Sequence, residues 1–197
     1  MGRHNLGMEP DVARATEFVA TELEPAIGRD WAVPAGQLEW TVDFTIEHIA
    51  SALSKYTLYL ASRSTESIAV RVVSRPDASQ RERLDAIAQV GRALATVAET
   101  TPPEVRAFHA SGLLDVEGYV ALGCLEALLH GWDIASGLGL PFEPAPDLVR
   151  PVAARLMPWL PPTWTALLSH TRLENSDDSW RILTSPLQEW DGTIPSD

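Results

Sequence analysis

The sequence predicts a mainly α-helical protein: a four-helix bundle with an extra short C-terminal helix and a small two-stranded β element. Three observations predict this class. Apolar residues recur at steps of three and four over four long segments, strand-like alternation is confined to one short run, and glycine, proline or small polar residues mark the segment ends. The 197 residues suit a single domain, which at this size buries about 70% of the surface that its unfolded chain exposes. Its core is expected over about residues 10–160, followed by an irregular tail over 161–197.

Val12, Ala15, Val19 and Leu23 keep helical spacing and predict a first helix from about Pro10 to Ile27, stopped by Gly28. "WTVDFTIEHIASALSKYTLYLAS" reads as a longer second helix reaching about Leu60. Thr41 suits its N-cap, and Asp43 lies near the positive end of the helix dipole. In "SIAVRVVSR", Ile68, Val70 and Val72 alternate in a β-branched run, which predicts a short strand, with a partner expected in "WRILT" near the C-terminus. Leu84, Ile87, Val90 and Leu94 carry a third helix, closed by Pro102-Pro103.

The connection from Thr100 to Asp115, which contains "RAFHASGLLD", is long enough to be expected to line a site. A fourth helix follows over roughly Val116 to Ser136, ending at Gly137 and Gly139 with Pro141 beyond. A fifth, shorter helix is expected after Pro146 in "DLVRPVAARLM". From Pro158 the chain is rich in Pro, Trp and Ser, and its four tryptophans at 159, 164, 180 and 190 are expected to pack it back onto the bundle.

Composition narrows the function classes. The single cysteine, Cys124, excludes an internal disulfide and a multi-cysteine zinc site, and agrees with a reducing cytosol. "MGRHNLGMEPDVARA" has no apolar signal-peptide core, and no run of about 18 apolar residues occurs. The expectation is a soluble cytoplasmic protein without a membrane partner. With 27 acidic against 15 basic side chains the net charge is -12, which repels a phosphate backbone, so nucleic acid is not an expected partner. "GLGLP" follows a helix instead of a strand and fails the dinucleotide-binding context.

The chemistry concentrates on the fourth helix. In "VEGYVALGCLEALLHGWDIAS", Glu126, His130 and Asp133 are spaced by four and three residues and share one face. Val120, Leu122, Leu125, Leu128, Leu129, Trp132 and Ile134 make the rest apolar. The stripe is either the solvent face of an amphipathic helix or half of a site. No Lys or Arg occurs from Ala107 to Val149, whereas solvent faces usually mix both signs. A buried carboxylate without a counter-charge must protonate or find a cation, and a divalent metal would supply one.

Glu and His at i, i+4 offer one oxygen and one imidazole nitrogen on a single face, so a mononuclear site needs a ligand from elsewhere. The candidates are His48, His109, His170 and His4. His48 is favoured because it lies mid-helix in "DFTIEHIASAL" among Ile46, Ile49 and Leu53, although a lone histidine there also fits a core position. Asp133, one turn beyond His130, suits an acceptor that orients a ligand imidazole, or a local pairing partner. His109, just before the ligand helix, is placed to reach over the metal as a substrate contact or acid/base, or to be a surface histidine. Cys124 lies two positions before Glu126, about 200° around the helix, and points away.

"WTVDFTIEHIASAL" and "EALLHGWDIASGLGLP", in this order and on these helices, resemble the DinB/YfiT-like superfamily, in particular the N-terminal domain of mycothiol-dependent maleylpyruvate isomerases, over about Asp11 to Leu160. The resemblance implies a bundle that holds a divalent metal, commonly zinc or nickel, through His48, Glu126 and His130. It further implies mycothiol or a similar thiol as cosubstrate and a small electrophilic substrate that undergoes isomerisation or S-transfer. The isomerases carry a further C-terminal domain with basic substrate-binding residues; here about 37 residues follow Leu160, among them Arg172 and Arg181. A homodimer is the expected assembly. The other function class is a non-catalytic metal- or ligand-binding bundle, stress-related or regulatory.

Overall fold

Four main helices are each started by a side chain that accepts a first-turn amide. The computed structural model describes residues 10–156 and Trp180. Helix α1 (Val12–Glu22) is capped by Asp11, α2 (Val42–Ser62) by Thr41, and α4 (Val116–Leu138) by Asp115. Helix α3 (Gln80–Thr100) has a full capping box, in which Ser79 accepts from the Glu82 amide and the Glu82 carboxylate accepts from the Ser79 amide. A short α5 (Pro146–Leu156) completes the helices. Helix α1 ends earlier than its apolar pattern: Glu24–Ala26 is a single 3-10 turn, because Pro25 has no N–H to continue the ladder. No helix among the described residues is long and apolar enough to cross a membrane.

Helices α1 and α2 each pack between α3 and α4, so they lie diagonally opposite one another. Arg81 at the start of α3 pairs with Glu24 just past the end of α1, whereas Arg83 meets Asp43 at the start of α2. Helices α1 and α3 are therefore antiparallel and α2 and α3 parallel. His48 and Tyr56 of α2 meet His130, Glu126 and Tyr119 of α4 in reverse order, so the sequence of directions is up, down, down, up. The core is filled by Ile46, Ile49, Leu53, Leu84, Ile87, Leu94, Leu128 and Ile134, all essentially inaccessible.

Two parallel neighbours need a connection that returns the length of the bundle, and residues 63–79 do this as an extended strap along α2. Ser64 O accepts from the Phe108 amide at 2.8 Å, the Ile68 amide donates to the Tyr59 hydroxyl at 3.3 Å, and the Ser74 amide donates to Glu47 Oε1 at 2.7 Å. This corrects the strand expected at Ile68, Val70 and Val72. The β-branched alternation does extend the backbone, but the strap has no partner strand among the described residues, and Val70 and Val73 are 50% and 58% exposed. Alternation specifies the local backbone; a ladder needs a second chain segment. "WRILT" beyond Trp180 lies outside the described residues, as do Trp159, Trp164 and Trp190, while the Trp180 ring lies 6.0 Å from that of Phe142.

The small two-stranded sheet lies instead in the connection between α3 and α4. Strands β1 (Ala107–His109) and β2 (Gly112–Leu114) pair antiparallel, with Ala107 opposite Leu114 and His109 opposite Gly112. Gly112 takes φ +127° just after the two-residue turn, a region side chains disfavour. Gly137 serves a close approach: a Cβ there would lie 2.2 Å from the Pro34 carbonyl oxygen. The loop that ends in Trp40 can thereby close on the last turn of α4.

Candidate metal centre

The antiparallel contact of α2 with α4 brings His48, in the second turn of α2, against the C-terminal half of α4. His48 Nε2 lies 3.3 Å from Glu126 Oε2, and His130 Nε2 lies 3.4 Å from that same oxygen. One ligand atom from each of His48, Glu126 and His130 fits within 4.8 Å of the others, and this cluster could hold a divalent metal ion. The two imidazoles stand nearly perpendicular, at 87° with centroids 4.9 Å apart, so both Nε2 atoms converge on Glu126 without stacking. All three side chains keep partial access to solvent, at 32%, 24% and 19% exposure for His48, Glu126 and His130, which leaves a path for an ion and a small ligand.

Around these atoms the neighbours each have one task. Asp133 Oδ2 lies 3.0 Å from His130 Nδ1 and holds the proton there, which leaves Nε2 to face Glu126. A carboxylate behind a ligand imidazole is the usual way to set its tautomer and raise its basicity. The Tyr56 hydroxyl donates to Glu126 Oε1 at 3.0 Å. Trp40 covers the imidazoles, its ring 4.8 Å from that of His48 and 5.8 Å from that of His130, with Phe44 edge-on to it at 5.0 Å.

The missing basic residues around the stripe find their answer in His130. Burial opposes its positive charge, yet hydrogen bonds and charge from Asp133 and Glu126 raise its pKa to about 9. Burial alone would raise the Glu126 carboxyl, but His130 and His48 outweigh it and hold it well below the usual carboxylate range. The protonated imidazole therefore offsets part of the carboxylate charge in the absence of an ion, and a divalent cation would offset both carboxylates. Two imidazole nitrogens and one carboxylate oxygen are also the donor set of a three-ligand catalytic zinc site. The residues fit the ion.

His109 ends β1 with its ring 6.0 Å from that of Tyr56, so it joins the cluster through Tyr56 and not at the ligand atoms. The Ser111 amide donates to its Nδ1 at 3.3 Å, so the neutral ring carries its proton on Nε2. Burial lowers its pKa against the opposing pull of Glu126. Cys124 is fully buried, and burial pushes its thiol up, which fits a packing role. His4, His170, Arg172 and Arg181 lie outside the described residues.

Sequence reasoning overlooked Tyr56. It follows His48 by two helical turns, which is a usable signal, but its partner Glu126 is 70 residues away. The place of Trp40 over the imidazoles depends on the 31–41 loop, which no periodicity encodes. Neither a family model, a curated protein nor a solved structure matches this chain.

Proposed function

We propose that this protein is a divalent-metal-dependent enzyme that uses a low-molecular-weight thiol, mycothiol-like, for isomerisation of, or S-transfer to, a small electrophilic substrate. We place it with the DinB/YfiT-like proteins that its two motifs resemble. The observation that carries the reading is the convergence of His48, Glu126 and His130 from two helices, with Asp133 behind His130. Zinc is the proposed ion and nickel the alternative. Three protein ligands leave an open position, where a divalent ion lowers the pKa of a thiol or water toward neutrality.

The chain's own groups do the rest. His48 and His130 would hold the ion through Nε2, and the Glu126 carboxylate would offset its charge. Asp133 keeps the His130 proton on Nδ1. Trp40 shields one side of the imidazoles from water, and the Nε2–H of neutral His109 is a donor for an oxygen of the electrophile.

The test begins with metal analysis of the full chain after zinc or nickel loading and dialysis. Wild type should retain stoichiometric metal, and His48→Ala and His130→Ala should lose it. Absence of stoichiometric metal in wild type under every loading condition would falsify the metal reading. Loaded protein is then incubated with small thiols and model electrophiles: S-transfer consumes thiol, whereas isomerisation changes the substrate spectrum and returns the thiol. Stoichiometric metal without metal-dependent acceleration in either assay would make the protein a binding bundle without turnover.

A further inference from the structure

We propose that Tyr56 is a positioning residue that makes Glu126 a one-oxygen ligand and so keeps a coordination position open at the metal centre. The inference rests on the metal reading above and concerns a different residue. The two oxygens of a free carboxylate are equivalent, and a glutamate beside a divalent ion can offer one or both. Here they are told apart: Oε2 faces Nε2 of His48 and of His130, while Oε1 accepts the Tyr56 hydroxyl at 3.0 Å. For Glu126 to bind through both oxygens, Oε1 would have to turn toward the ion and leave a buried hydroxyl without its acceptor, an arrangement folded proteins avoid.

The phenol cannot easily follow that rotation, because packing fixes it independently of its hydrogen bond. Tyr56 is 7% exposed. Its ring contacts those of Tyr119, at 5.5 Å, and His109, at 6.0 Å. These ring contacts do not depend on the Tyr119 hydroxyl, and with the phenol so placed Tyr56 holds one oxygen of Glu126. A carboxylate limited to one oxygen, with two imidazoles, makes three donor atoms and leaves a fourth position for an incoming ligand.

Cobalt(II) is the probe, since zinc has no visible d–d spectrum. The full chain is titrated with cobalt as wild type, Tyr56→Phe and Tyr119→Phe. Expected for wild type and Tyr119→Phe is the intense visible absorption of a four-coordinate ion. Tyr56→Phe should show the weaker bands of a higher coordination number, with affinity falling by about 10–100-fold, the usual effect of removing a group that orients a ligand. The coordination claim is overturned if the Tyr56→Phe spectrum equals that of wild type, whatever happens to affinity. It is equally overturned if Tyr119→Phe changes the spectrum in the same way, since packing alone would then be responsible.

A second measurement needs no Tyr56 variant. In the infrared spectrum of loaded wild type, the bands lost in Glu126→Gln should show the wide antisymmetric-to-symmetric carboxylate splitting of one-oxygen binding; a narrow splitting overturns the proposal. Failure of wild type to bind cobalt, zinc or nickel at all defeats the metal reading itself. Binding with unchanged variant spectra defeats only the role of Tyr56.

Discussion

Asp133 and His109 were both readable as polar residues near the ligand helix, yet the structure gives them different distances from the ligand atoms. Asp133 touches His130 directly, at 3.0 Å, so Asp133→Asn should weaken metal binding by about 10–100-fold, measured by competition with a coloured chelator. His109 touches no ligand atom among the contacts described, and its ring neighbour is Tyr56. His109→Ala should therefore leave metal affinity within twofold of wild type while slowing any thiol-dependent turnover. Equal losses of affinity in the two variants would place His109 at the ion. The spacing of Glu126, His130 and Asp133 exposes their shared face because a single helix carries it. Tyr56 stayed hidden because its partner lies on another helix.

Two seams between elements make sharper predictions than any single helix. The first joins α1 to α3, where a Cβ on Gly91 would lie 1.9 Å from Thr16 Oγ1. Gly91→Ala should destabilise the fold by about 1–3 kcal/mol through overpacking, and Thr16→Ala in the same chain should recover part of that loss in urea melts. The second seam joins α4 to α5 through Asp115, which caps α4 at the Gly118 amide and binds Arg155. Burial alone would raise the Asp115 carboxyl, but the Gly118 amide, Arg155 and Arg106 outweigh it and leave it below its ordinary value. A depressed folded pKa gives stability that is present above the unfolded value of about 4 and is lost as pH falls through the folded one. Asp115→Asn should cost about 1–3 kcal/mol at neutral pH, with a shrinking difference from wild type as pH drops from 5 to 2 in thermal melts.

At the scale of the whole molecule, the proposed ion would join α2 to α4, two helices in different halves of the chain. A ligand that binds only the folded state stabilises it by mass action, by about 2.7 kcal/mol at a hundredfold excess over Kd. Zinc should therefore raise the Tm of wild type reversibly, with chelator restoring the lower value, and should leave the Tm of His48→Ala unchanged. A zinc-induced rise of equal size in His48→Ala would mean that the stabilising ion binds elsewhere. The apolar spacing of Val12 to Leu23, of Leu84 to Leu94 and along α4 determined the helices, since each needs only its own residues to define a buried face. Thr41 and Gly139 likewise marked helix ends, because capping is local chemistry. The up-down-down-up order, the extended strap at residues 68–73 without a partner strand among the described residues, and the grip of Tyr56 on Glu126 were decided only by the tertiary structure. Each depends on which distant segment lies alongside, and periodicity within one segment carries no record of its neighbour.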